Sequence, residues 1–71
     1  MTKFGEYLNK KSIKKAEVSR KTGISPSRLS ELALNESTNL KAEELYLVAL
    51  AIDVDPSIIL KEIFGHLTLS N

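Results

Sequence analysis

The sequence Gly23-Ile24-Ser25-Pro26 separates two short helical segments and constrains the fold more than any other feature of the chain. Gly23 suits a position just after a helix end, because a residue there usually adopts a left-handed conformation that costs glycine little. Ser25 suits an N-cap, since its hydroxyl can accept a hydrogen bond from a free backbone N–H two or three residues on. Pro26 then takes the first helical position, where its missing N–H costs no hydrogen bond. The pattern predicts one helix that ends before Gly23 and another that begins at Pro26.

The periodicity of apolar residues predicts three further helices and no strand. We expect helices over about residues 3–10, 15–22, 26–34 and 42–52, and a fifth that runs from Pro56 to a stop at Gly65. Thr2 and Asp55 precede the first and fifth helices and suit N-caps. The sequence therefore predicts an all-α, compact domain of five helices.

Two of these helices carry more specific expectations. The fourth is apolar nearly all round, so Tyr46, Leu47 and Leu50 are expected to be widely buried in a central core helix. The first contains Gly5, which is expected to weaken it by about 1 kcal/mol relative to alanine.

Length and composition limit the possible functions. A chain of 71 residues is expected to form a single domain over residues 1–71, with no room for a catalytic cleft of ordinary size. The absence of cysteine excludes disulfides and thiolate metal sites and is compatible with a reducing compartment. The polar start Met1-Thr2-Lys3 lacks a secretory signal, and the apolar run over residues 45–52 is too short to span a membrane. We expect a cytoplasmic protein.

The net charge of +1 conceals an uneven distribution along the chain. Residues 1–28 contain eight basic and two acidic side chains, a net charge of +6. Residues 29–71 contain two basic and seven acidic side chains, a net charge of −5. The basic half indicates a polyanionic partner, and the acidic half a surface that faces away from it.

Two short helices joined by a glycine-containing turn are the outline of a DNA-reading helix-turn-helix motif, which here covers about residues 15–34. Lys14 and Lys15 lie where the first helix of the pair begins, and that helix terminus is suited to phosphate. The alternative is that these lysines, and the outward residues of the second helix, only form a solvated surface.

The chain resembles the small helix-turn-helix domains of the phage repressor and Cro class, the XRE family, over roughly residues 4–64. The resemblance implies a compact five-helix, lambda-repressor-like domain. It also implies a transcriptional regulator that binds specific double-stranded DNA, usually as a homodimer. The residues that carry the resemblance are Val18-Ser19, Gly23-Ile24-Ser25, Leu29-Ser30, Leu32, the run from Leu45 to Val54 and Asp55-Pro56.

The resemblance further implies that the helix beginning at Pro26 lies in the major groove. Arg28 could pair with guanine, Ser27 could serve several bases, Glu31 could accept from a cytosine amino group, and Pro26 could touch a thymine methyl. The residues expected to contact bases are Pro26, Ser27, Arg28 and Glu31. The residues expected to contact phosphate are Lys14, Lys15, Ser25 and Ser30.

The chain departs from the family pattern at three places, one of which is the length of the loop over residues 36–40, so phosphate contacts in that loop are not carried over from the family. Many members carry a Glu at the position of Ala33, paired with an Arg near the position of Leu8, so we expect apolar contact in place of this ion pair. A glycine commonly follows that helix in the family. Asn35 stands there, and it is expected in the left-handed conformation that asparagine tolerates.

The fifth helix and the tail, residues 56–71, carry more apolar side chains than a chain of this size can bury. Contiguous exposed apolar surface usually marks an interface. We expect a dimer interface at Ile59, Ile63, Phe64 and Leu67; the alternative is that the tail folds back over the core.

No constellation of residues indicates an enzyme, a cofactor or a metal site. His66 is the single histidine and lies next to Gly65, near the end of the chain. Glu43-Glu44, Asp53 and Asp55 are explained by favourable charge at helix starts and by capping. The alternative function left open is a protein-binding helix-turn-helix module, such as an antitoxin, antirepressor or adaptor, with weak or no DNA binding.

Overall fold

The computed structural model describes residues 1–70, which form five helices and, within that range, no strand. The all-α fold and the helix bounds predicted from the sequence are confirmed, except that α4 ends one residue earlier than expected. No helix in residues 1–70 has the length and apolar character needed to cross a membrane. The helices are α1 (Lys3–Lys10), α2 (Lys15–Thr22), α3 (Pro26–Leu34), α4 (Ala42–Ala51) and α5 (Pro56–Phe64).

The predicted helix starts and the predicted turn are confirmed. Side-chain oxygens of Thr2, Ser25 and Asp55 accept hydrogen bonds from backbone N–H groups at 3.0, 3.1 and 2.8 Å. Gly23 has a φ of 81°, in the left-handed region where glycine is favoured. Each cap satisfies a backbone donor that the first turn of a helix would otherwise leave free.

The left-handed conformation expected at Asn35 is wrong. Asn35 is extended, with a φ of −104° and a ψ of 111°. Its side chain explains the difference, because Oδ1 accepts a hydrogen bond from the backbone N–H of Ser37 at 3.0 Å and starts a turn.

The core takes buried side chains from all five helices. The largest fully buried side chain of each helix is no more than 1 % exposed, and burying each of these five contributes on the order of 1.5–3 kcal/mol. These five are Leu8, Val18, Leu29, Val48 and Ile59.

The start of α1 is fixed against the end of α3. The Thr2 N–H donates to the Ala33 carbonyl at 2.9 Å, and the Thr2 hydroxyl lies 2.7 Å from the Leu32 carbonyl oxygen. Leu8 and Ala33 are each 1 % exposed, so apolar burial replaces the ion pair, as expected. Gly5 is buried in this junction, and a Cβ there would overlap the Ala33 carbonyl oxygen. Gly5 therefore allows α1 to approach α3 closely, a role that the sequence did not indicate.

The expected wide burial of α4 is wrong. Tyr46, Leu47 and Leu50 are 54 %, 39 % and 57 % exposed. They lie at i, i+1 and i+4 and share one side of the helix. The other side, which includes Val48 and Ala49, packs into the core. Because α2 and α5 are the helices that pack against α4, only that inner side is covered.

Two of the four residues expected at a dimer interface on α5 and the tail are buried within the chain. Ile59 is 0 % and Ile63 is 4 % exposed, because this side of α5 packs against the core of its own chain. Phe64 is half-buried against the same core, and Leu67 is exposed. A partner could reach only Phe64 and Leu67 of the expected set.

Replacing Gly5 by alanine is expected to destabilise the fold. The added Cβ forces α1 away from Ala33, and overpacking of this kind costs about 1–3 kcal/mol. This outweighs the roughly 1 kcal/mol that alanine gains in helix propensity. Urea denaturation followed by circular dichroism measures the change. Glu6→Ala, at the exposed neighbouring position, is the control and should change stability by less than about 0.5 kcal/mol. A Gly5→Ala variant more stable than the parent protein would contradict the role of the α1–α3 approach.

Candidate nucleic-acid interface

Hydrogen bonds hold the turn between α2 and α3 in one conformation. The Gly23 N–H donates to the Ser19 carbonyl at 2.9 Å and closes the end of α2. The Thr22 hydroxyl donates to the Val18 carbonyl at 2.7 Å and accepts from the Ile24 N–H at 3.1 Å. Ile24 also packs against the core. The relative placement of α2 and α3 is therefore determined by backbone geometry and packing together.

The outward side of α3 presents a narrow stripe of side chains. Ser27, Glu31 and Leu34 are exposed and are spaced by four and three residues, so they lie above one another on the helix. Leu34 is 59 % exposed. Sequence reasoning missed Leu34, although its position seven residues after Ser27 would have indicated that they share a face. The opposite side of α3 is buried and is formed by Leu29, Leu32 and Ala33.

Arg28, an expected base contact, is hydrogen-bonded to two other parts of the chain. Its Nε donates to Glu44 Oε2 at 2.8 Å, and its Nη2 donates to Glu44 Oε1 at 2.9 Å. Nη2 also donates to the Asn39 carbonyl at 2.8 Å. The Arg28 and Glu44 side chains are 33 % and 12 % exposed. The guanidinium thus joins the first turn of α3 to the start of α4 and to residues 35–41, which we term the α3–α4 loop.

Glu31, another expected base contact, also reaches this loop. Its Oε2 accepts from Asn35 Nδ2 at 3.2 Å and lies 3.4 Å from the Thr38 hydroxyl oxygen. Pro26 and Ser27 lie exposed on the first turn of α3. The four expected base contacts are therefore on one helix, but the two charged ones are engaged within the protein.

Three of the four expected phosphate contacts lie at the starts of α2 and α3, which pack against each other, and Ser30 lies in the middle of α3. Lys14 is exposed and Lys15 is half-buried, and among residues 1–70 no side chain caps α2. Ser25 is exposed but uses its hydroxyl to cap α3, and Ser30 is half-buried. The start of α2 therefore combines uncapped backbone N–H groups with two cationic side chains, both favourable to an anion.

Four lysines near this helix start, Lys10, Lys11, Lys14 and Lys15, form what we term the lysine cluster. None of them has a carboxylate within ion-pair distance in the described part of the chain. Arg20, by contrast, is paired with Glu17 at 2.8 Å in an exposed bridge within α2. The lysine cluster therefore supplies uncompensated positive charge. Residues 1–70 contain no group of three or more His, Asp or Glu side chains that could hold a metal ion.

The ion pair with Arg28 predicts a specific acid sensitivity. The hydrogen bond from Arg28 holds the pKa of Glu44 below its ordinary value of 4.5, and the Lys41 N–H adds to the effect. A carboxylate whose pKa is lower in the folded than in the unfolded chain stabilises the fold at neutral pH. That stabilisation is lost as the pH falls from the ordinary value through the folded-state pKa. Glu44→Gln should therefore lower the free energy of unfolding at pH ~7 and have a smaller effect at pH ~3.

Chemical denaturation across that pH range measures the effect. Glu43→Gln is the matched control, since Glu43 is exposed in the same helical turn and forms no ion pair within residues 1–70. Equal effects of the two substitutions at every pH would contradict the assignment to Glu44.

The comparison with known families agrees with the geometry. A model of the Cro/C1-type HTH DNA-binding domain matches residues 3–63, which include α1 to α4 and all but the last residue of α5. No curated protein and no solved structure gives a match. The family match extends over most of the chain and includes the turn at Gly23 and both helices beside it. The chain therefore belongs to the family of Cro/C1-type helix-turn-helix DNA-binding domains.

Proposed function

We propose that the chain is a transcriptional regulator that binds a specific double-stranded DNA sequence with α3 in the major groove. The observation that carries the proposal is the exposed stripe of α3 beside a helix start with uncompensated lysines. A B-DNA major groove admits an α-helix, and phosphates flank it on both sides. The family membership supports a DNA ligand.

The exposed stripe supplies the contacts that we propose for base reading. The Ser27 hydroxyl can donate to or accept from a base edge, and the ring of Pro26 and the side chain of Leu34 can pack on thymine methyl groups. Arg28 and Glu31 also belong to the predicted set. Because both are hydrogen-bonded within the protein, a base contact by either requires those bonds to break.

Phosphate contacts are proposed at Lys14, Lys15, Ser25 and Ser30. The lysines provide charge and the serines provide short polar groups at the α2–α3 unit. Contacts of this kind position a protein on the duplex and carry no sequence information by themselves.

We also propose that the chain acts as a homodimer on DNA. A two-fold dimer would place two copies of α3 about 34 Å apart, one turn of the double helix. Phe64 and Leu67 are the parts of the expected interface that a partner can still reach, and Leu67 is 65 % exposed.

DNA selection followed by a salt titration tests the proposed function. A random duplex pool should enrich one sequence, and its affinity should fall linearly on a logarithmic plot as salt rises. Lys15→Ala should weaken binding to all duplexes alike and reduce that slope by about 1. Lys61→Ala, which removes the same charge from an exposed position of α5, is the control and should leave the slope unchanged. Failure to enrich any sequence would favour the protein-binding alternative.

The proposed dimer is tested by charged substitutions on two exposed apolar surfaces. Sedimentation of the protein on a duplex with two half-sites should give two protomers per DNA. Leu67→Asp should abolish the complex of two protomers on one duplex while leaving affinity for a single half-site unchanged. Leu50→Asp on α4 is the matched variant and should leave the stoichiometry intact. A strict monomer at tens of micromolar, with and without DNA, would contradict the homodimer.

A further inference from the structure

We propose that Arg28 is a positioning residue of the DNA interface and not a reader of bases. It holds the α3–α4 loop and the start of α4 against the first turn of α3. The inference rests on the proposed function, because it assigns a role within the same DNA-binding surface.

The hydrogen-bonding geometry of the guanidinium carries the argument. Recognition of guanine by arginine needs two N–H donors directed together at O6 and N7. In Arg28, the Nε–H and one Nη2–H form such a fork, and both donate to Glu44. The second Nη2–H donates to the Asn39 carbonyl. Only the Nη1 donors remain, and they cannot form a fork without a hydrogen from Nη2.

The surroundings of Glu44 oppose the release of Arg28. Glu44 is 12 % exposed, so water can solvate its carboxylate only in part. Its remaining hydrogen bond comes from the Lys41 N–H at 3.0 Å. Removing one partner from a partly buried ion pair leaves a charge with less compensation, which is unfavourable. A guanine contact by Arg28 would have to overcome this cost, whereas a positioning role keeps the pair intact.

Glu31 provides a second connection between α3 and the same loop. Its carboxylate contacts Asn35 and Thr38, while Arg28 contacts Asn39. The loop is thus held to α3 at Asn35, Thr38 and Asn39 by the two charged residues of the outward surface. The other exposed residues of α3, Pro26, Ser27 and Leu34, are neutral. Sequence preference should then arise from hydroxyl and apolar contacts and from the shape that the fixed loop gives the surface.

Substitutions at Glu44 and Glu43 separate the two roles of Arg28. Both Glu44→Gln and Glu43→Gln remove one negative charge from the same turn of α4, so their general electrostatic effects on DNA binding match. Only Glu44→Gln weakens the hold on Arg28. Binding is measured to the selected duplex and to an unrelated duplex, at a temperature where circular dichroism shows every variant folded.

A positioning role predicts that Glu44→Gln binds the selected duplex roughly threefold to tenfold more weakly than Glu43→Gln. Affinity for the unrelated duplex should be equal in the two variants. A general loss of stability would instead weaken the binding of Glu44→Gln to both duplexes. If Arg28 reads a base, Glu44→Gln releases it and binds the selected duplex as tightly as Glu43→Gln or more tightly. That result would overturn the proposal.

An Arg28→Ala variant supplies an independent readout. Positioning predicts a similar loss of affinity with an unchanged order of preference at every base pair of the site. Loss of discrimination confined to one base pair would overturn the proposal. The parent protein serves as the reference in each series. If the parent protein enriches no sequence, the proposed function fails. If the parent binds a selected sequence but the variants give the results expected of a base-reading Arg28, only the role assigned to Arg28 is refuted.

Discussion

The small size of the core governs how every helix in this chain is arranged. Five helices of eight to ten residues enclose a single cluster of buried side chains, and each contributes one side to it. Tyr46, Leu47 and Leu50 are left exposed on α4 because no further helix within residues 1–70 covers them. The same limit places Ile59 and Ile63 of α5 inside the protomer. Burial therefore determines which surfaces remain for partners.

Two sets of contacts hold the proposed DNA surface in one conformation. Burial of Leu29, Leu32 and Ala33 fixes α3 from within, and the turn at Gly23 sets its angle to α2. Hydrogen bonds from Arg28 and Glu31 then fix the α3–α4 loop from outside. A surface ordered before binding loses little conformational entropy when DNA binds. This organisation suits a reader that relies on shape and on few polar contacts.

Local sequence signals predicted the helix boundaries well, because caps and the turn act through neighbouring residues. Thr2, Ser25 and Asp55 each bond within their own first turn, so their roles follow from spacing alone. Contacts between distant parts of the chain could not be predicted in this way. The Arg28–Glu44 pair spans sixteen residues, and the packing of Gly5 on Ala33 depends on how closely α1 approaches α3. Apolar periodicity also does not reveal which side of α4 lacks a neighbour.

An NMR titration with DNA measures directly whether α3 forms the DNA-binding surface. A chain of 7.9 kDa suits residue-by-residue amide measurements during titration with the selected duplex. We expect the largest shift changes at the start of α2, along Ser27–Leu34 of α3 and in the α3–α4 loop, and changes in α5 only near Phe64, where the second protomer would bind. Changes concentrated on α5 or on the exposed side of α4, with α3 unaffected, would contradict this expectation.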